Sequence, residues 1–240
     1  MQLMLYVRAI LFYLGYAFFT VFFSLSGALL FFLPISIRGR YLILWNQCVL
    51  IWLRLCCNIR VKIIGDIPSG SFVAACKHQS QWETFFLQHH LWPVHIVLKK
   101  ELLNIPFFGW ALRMVEPIAI DRTQVKSALV SIQVKGSYFL ERNRRVLIFP
   151  EGTRVKPGNK NRYARSAADL AVRSQRPILP IAHNAAYCWP PGQLIKYPGT
   201  ITISFGEPIQ AEQKTSRELM LCVEQWIEAE CENIGTYAHV

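Results

Sequence analysis

The chain has 240 residues, of which 52% are hydrophobic and only 17% charged, and its mean hydropathy is +0.25. That balance excludes a disordered chain and argues against a freely soluble globule, since ordinary soluble domains are about one quarter charged. Lys+Arg 26 against Asp+Glu 15 leaves a net charge of +11, which calls for an anionic partner: nucleic acid, an acidic membrane surface or a phosphorylated substrate.

No charge occurs between Arg8 and Arg38, a run of residues dominated by Phe and Leu. As one helix this run would extend about 43 Å, longer than the ~30 Å hydrocarbon core of a bilayer. It is too long for the apolar region of a signal peptide and lacks a small-residue cleavage site. A second apolar stretch, Tyr41–Arg54, follows a break at Pro34 and Gly39. Its Asn46, Gln47 and Arg54 suit an interface better than a bilayer centre. Two arrangements follow from this pattern: a single span, or a helical hairpin dipping into one leaflet. Either attaches residues 1–58 to a membrane. Arg8, Arg38, Arg40 and Arg54 flank both segments, so the distribution of positive charge does not choose between them.

From Arg60 onward, short β-branched runs alternate with helical periods. Strands are predicted at Val61–Ile64, Phe72–Ala75, Val94–Val97, Val115–Ile120, Val146–Phe149, Ile178–Ala182 and Ile201–Phe205. Helices are predicted over about 81–91, 123–142 and 161–175, and a last one starts at the capping-box pattern Thr215-Ser-Arg-Glu218. The alternation predicts an α/β fold with a mixed sheet flanked by helices and with active loops at strand ends. The seven cysteines form no C-x-x-C pair, and they read as reduced thiols rather than a zinc site or a disulfide framework.

Three strand ends carry chemistry. In Lys77-His78-Gln79-Ser80-Gln81-Trp82-Glu83, a helical turn can bring the Glu83 carboxylate beneath the His78 imidazole, fixing its tautomer and leaving the other nitrogen as a base. Ser80-Gln-Trp-Glu83 is equally a capping box, in which Glu83 serves only its own helix terminus; the spacing supports both. In Phe149-Pro150-Glu151-Gly152-Thr153-Arg154, Gly152 permits a tight turn with amides facing an anion, and Arg154 adds a forked cation. No G-K-[ST] follows, so nucleotide hydrolysis is not suggested. Glu116-Pro-Ile-Ala-Ile-Asp121-Arg122 delivers an Asp-Arg pair at a third strand end.

Taken together, these stretches resemble the glycerolipid acyltransferases, typified by 1-acyl-sn-glycerol-3-phosphate acyltransferases. That family carries H-x4-D, then G-x-x-[FL]-[IV]-[DN]-R, then F-P-E-G-T-R, then a proline-bearing strand. The order is kept here over about residues 60–210, with Phe149–Arg154 intact and Leu179-Pro180-Ile181 last. Glu83 stands where Asp is usual, Lys77 where Asn is common, and Glu116 and Ala119 replace the glycine and the aromatic or leucine of the second motif.

The resemblance implies a membrane-anchoring segment, 1–58, joined to an α/β acyltransferase domain, 59–240. It implies transfer of a fatty acyl group from acyl-CoA or an acyl carrier protein thioester to the sn-2 hydroxyl of lysophosphatidate, giving phosphatidate. His78 would be the base and Glu83 its orienter, with no covalent enzyme intermediate. Arg122, Gly152, Thr153 and Arg154 would bind the acceptor's phosphate, and Glu151 would hold Arg154 or contact the acceptor. Backbone amides near Ser80 or Gly152 are candidates for the oxyanion site. Another lysolipid acceptor, or a non-catalytic lipid-binding protein of the same fold, are the alternatives. No cofactor beyond the thioester co-substrate and no metal are expected, and His89, His90 and His95 read as helix-end surface residues. Eleven Lys/Arg against three Asp/Glu between Lys135 and Arg176 would draw the donor's phosphates or acidic lipids. Nucleic acid is not expected as a partner, because no recognisable module accompanies the charge. The expected location is a membrane, on the cytoplasmic face of a bacterial inner membrane.

Overall fold

The computed structural model describes residues 2–235, so the final residues of the expected 59–240 domain lie outside it. Two helices open the chain, α1 (Gln2–Ala28) and α2 (Ile35–Cys57). They run antiparallel as a hairpin: Trp52 Nε1 donates to Leu11 O, and Ser26 Oγ meets Tyr41 Oη at 2.5 Å. The helices approach closely because Gly15 faces the Trp52 indole, where a Cβ would lie 2.0 Å from its ring nitrogen. Asn58, in the left-handed conformation, ends α2 by donating its N–H to Arg54 O.

Seven strands form one sheet: β1 (Ile59–Ile64), β2 (Val73–Cys76), β3 (Val94–Lys99), β4 (Ile118–Ile120), β5 (Arg145–Ile148), β6 (Ile178–His183) and β7 (Gly199–Phe205). Their order is β1-β7-β6-β2-β5-β3-β4, parallel everywhere except between β6 and β7. Pro180 is tolerated inside β6 because the ladder to β7 begins only at Ile181. Between the strands lie α3 (Trp82–His90), α4 (Phe108–Arg113), α5 (Val125–Glu141), α6 (Ser166–Ser174) and α7 (Ala185–Cys188), with α8 (Ser216–Gly235) last. The mixed α/β sheet flanked by helices matches the expectation from alternation.

The central strand β2 is buried throughout, and its alternation divides the core. Ala74 and Cys76 face a layer with Phe12, Trp45 and Phe85, from α1, α2 and α3. Val73 and Ala75 face α5, α6 and α8, through Ile132, Leu170 and Val223. The N-terminal helices therefore share a core with the sheet instead of hanging from it. α1 is nevertheless long and apolar enough to cross a membrane, and it leaves Leu14, Phe18, Phe22 and Leu25 exposed along its other side.

Local details differ from the periodicity in four places. The strand predicted from Val115 begins only at Ile118, because Glu116 takes a positive φ of 50° and Pro117 has no N–H to offer a ladder. The helix predicted from 161 starts at Ser166, since Ala164 N donates to Pro150 O and ties the preceding loop to the end of β5. The short helices α4 and α7 escaped the pattern, being less than two turns each. The last helix starts as expected: Thr215 Oγ1 donates to Glu218 Oε2 and accepts from Glu218 N.

Candidate active site

β2, β5 and β6 are adjacent and parallel, so their C-terminal ends emerge side by side. His78 follows β2, the Phe149–Arg154 turn follows β5, and His183 ends β6. His78 Nδ1 donates to Glu83 Oε1 at 2.8 Å, which fixes the tautomer and leaves Nε2 as the basic nitrogen. The ring is stacked on Phe149, with centroids 4.2 Å apart.

Glu83 performs both of the roles its spacing allowed. The same Oε1 also accepts from Gln79 N at 3.1 Å and Ser80 N at 2.9 Å, the second being the capping-box bond. Ser80 Oγ accepts from Trp82 N and donates to Trp189 O, locking the turn from the other side. Glu83 is 0% exposed. Burial works to raise its carboxyl, but the imidazoles of His183 and His78 and the donated Ser80 N–H hold it below the ordinary carboxylate value.

His183 is a site residue that sequence reasoning missed. It is fully buried, donates from Nε2 to Lys77 O at 2.9 Å and accepts from Ala185 N at Nδ1, so both nitrogens are committed to a neutral ring. Burial lowers its pKa accordingly. Nε2 lies 3.9 Å from Glu83 Oε2, which has no hydrogen-bond partner among the described residues. Its position just past the predicted strand Ile178–Ala182 was the available signal.

The turn after β5 separates its residues. Gly152 adopts a φ of +67° with open space around it, so glycine is required by conformation and not by crowding. Arg122 Nη1 donates to Gly152 O, joining the second and third motifs. Asp121 holds that strand end by accepting from Lys100 Nζ and from the N–H and hydroxyl of Thr123. Arg154 and Arg122 both line the cavity described below, whereas Thr153 is exposed outside it. Glu151 corrects the expectation that it holds Arg154 or meets the acceptor. Its carboxylate turns inward, accepts from His78 N at 2.9 Å and pairs with the Lys77 ammonium at 2.8 Å. The amides suggested for an oxyanion site are also committed: Ser80 N to Glu83, and Gly152 N to Phe149 O.

His95 is likewise not a helix-end surface residue. It is buried in β3, bonded through Nδ1 to Glu116 O at 2.9 Å and stacked on Phe139, and burial pushes its pKa down to about 4.

His78, Arg122 and Arg154 stand at the polar side of a cavity of about 720 Å³. The rest of its lining is mostly apolar and comes from several elements: Tyr16 and Val21 of α1, Phe85 of α3, Leu98 of β3, and Phe107 and Leu112 around α4. A base fixed by a carboxylate, two guanidinium groups and a mostly apolar chamber meet in one place.

The sequence model of the acyltransferase family matches residues 58–184, which include every one of these strand ends. The chain belongs to the acyltransferase family. It is 43% identical over 231 residues to a 1-acyl-sn-glycerol-3-phosphate acyltransferase of Pseudomonas aeruginosa, a match spanning 92% of this chain and 89% of that protein. A 1-acyl-sn-glycerol-3-phosphate acyltransferase of Helicobacter pylori is 32% identical over 68% of this chain and 64% of its own. Among solved structures, the 1-acyl-sn-glycerophosphate (LPA) acyltransferase PlsC of Thermotoga maritima superposes with a TM-score of 0.77 at 22% identity, over 95% of this chain and 94% of that one. This acyltransferase thus shares its fold with that enzyme.

Proposed function

We propose that this acyltransferase moves a fatty acyl group from a thioester, acyl-CoA or acyl carrier protein, to the sn-2 hydroxyl of 1-acylglycerol-3-phosphate, giving phosphatidate. The observation that carries the reading is the His78–Glu83 pair, set beside two arginines at the polar side of an apolar chamber. A hydroxyl is a weak nucleophile at neutral pH, so its proton must leave as it attacks the thioester carbonyl. His78 Nε2 takes that proton, and Glu83 stabilises the resulting imidazolium. Collapse of the tetrahedral intermediate breaks the C–S bond, and the imidazolium returns the proton to the departing thiolate. The thiol and the new ester are the products, and no enzyme-bound acyl group forms.

Arg122 and Arg154 receive the acceptor's phosphate, and the apolar chamber takes an acyl chain. The Arg154 N–H donates to nothing among the described residues, and it is the donor this reading offers to a developing oxyanion. The α1–α2 hairpin lies on one leaflet with its exposed Leu and Phe side chains in the acyl region, which places the chamber beside its lipid substrate. On this reading the protein is membrane-bound, with the site on the cytoplasmic face.

The test is an acceptor scan with purified enzyme in mixed micelles and a radiolabelled acyl thioester. Transfer to 1-acylglycerol-3-phosphate, and little or none to the matching monoacylglycerol, supports the assignment. Equal transfer to the acceptor lacking phosphate, or transfer to another lysolipid only, overturns it.

A further inference from the structure

Behind the His78 turn lies a buried charged cluster that the reaction does not use directly. Lys77 is 1% exposed, yet its ammonium lies between two carboxylates: Glu228 Oε1 of α8 at 2.6 Å and Glu151 Oε1 at 2.8 Å. Tyr163 Oη donates to the same Glu228 oxygen at 2.8 Å, and Asn159 O sits 3.5 Å from Lys77 Nζ. Glu151 then reaches the site, because its Oε2 accepts the backbone N–H of His78. Burial works against the Lys77 ammonium, but Glu151 and Glu228 outweigh it and hold its pKa above the ordinary lysine value.

Stability does not account for such a cluster. Desolvation of buried ion pairs roughly cancels their attraction, and apolar replacements of similar volume often do as well. What the cluster adds is direction. One cation serves two carboxylates, and one of them fixes the main chain of the base. The other anchors the cation to α8, whose next-turn neighbour Glu232 makes only an exposed pair with Lys160.

We propose that Glu228 and Lys77 are positioning residues, which act through Glu151 to hold the His78 main chain at the site. This rests on the reading of His78 as the base. It also ties two sequence features together: a lysine where the family commonly has Asn, and a glutamate on the last helix. With Lys77 gone, Glu151 and Glu228 repel in a largely buried site and Glu151 loses its orientation. Removing the second charge relieves that repulsion.

The test is steady-state kinetics of the full chain in mixed micelles, with lysophosphatidate and acyl-CoA, for Lys77→Asn, Glu228→Gln and the double variant. Glu232→Gln is the control expected to match the wild type. Lys77→Asn should lower kcat by up to about 10²-fold with both KM values nearly unchanged, the signature of a misplaced base. Adding Glu228→Gln should recover about tenfold of that loss, because the two sites are coupled. Wild-type kcat in Lys77→Asn, or a double variant no better than the single one, would overturn the proposal. If Lys77→Asn does not fold, Glu228→Gln decides alone: a several-fold lower kcat supports positioning, and unchanged kcat with a lower Tm shows a brace only. His78→Ala in the same assay separates the two claims. Activity there defeats the base assignment, whereas an inactive His78→Ala beside wild-type-like Lys77 and Glu228 variants defeats only the positioning role.

Discussion

Glu83→Gln isolates the charge of the orienting carboxylate while keeping its shape. Gln can still accept from Ser80 N and Gln79 N, so the helix terminus stays capped, and capping changes amount to only about 0.5–2 kcal/mol. The imidazolium loses an anion at 2.8 Å. At an effective dielectric of about 20 that contact is worth roughly 6 kcal/mol, an upper bound of about 10⁴-fold in rate. The amide dipole restores part of it, so kcat should fall about 10²- to 10⁴-fold; the analogous change in a serine protease triad costs about 10⁴-fold. The assay is acyl transfer at saturating substrates, paired with a melting curve to show that the variant is folded. A folded Glu83→Gln enzyme within about threefold of wild-type kcat would refute the argument and leave Glu83 a helix cap only.

Arg154→Lys should raise the KM for lysophosphatidate about ten- to a hundredfold while the thioester KM moves little, because an ammonium cannot replace a planar fork on two phosphate oxygens. Arg122→Lys should do the same and also lower Tm, since it loses the bond to Gly152 O; kinetics and melting of the pair test both statements. Lys196 is buried, with its ammonium donating to Gln193 O and Leu194 O, and burial lowers its pKa to about 8. Between that value and the unfolded lysine pKa of about 10.4 the unfolded chain holds the extra proton, so Tm should rise with pH across this window and not in Lys196→Met. Replacing the exposed Leu14, Phe18 and Leu25 by Ser should weaken flotation with liposomes, by up to about 1.5–3 kcal/mol for each side chain that lipid buries. High salt should leave wild-type flotation intact, because salt screens only exposed charge contacts.

The parts of the site encoded within a few residues were legible in the sequence. His78, Glu83 and Ser80 lie in one turn, so spacing offered their pairing and the cap as alternatives, and the structure shows one carboxylate oxygen serving both. The convergence of three strand ends on one mixed sheet followed from alternation, whereas the strand order β1-β7-β6-β2-β5-β3-β4 did not. Glu151 was misread because its direction is decided by Lys77 and, through it, by Glu228, which the chain places far away in sequence. His183 escaped for the same reason: it contributes through β6, beside β2 in space but not in sequence. The shortened β4 reflects a positive φ at Glu116, and no propensity announces that for a glutamate. The apolar N-terminus was plain, but only packing shows that α1 walls the chamber holding His78.

The central claim is that His78 accepts the acceptor's proton, and the most direct measurement is single-turnover acyl transfer to 1-acylglycerol-3-phosphate by folded His78→Ala. Loss of a positioned base should slow the chemical step about 10²- to 10⁴-fold while lysophosphatidate still binds. A folded His78→Ala enzyme that transfers at the wild-type rate would contradict the account.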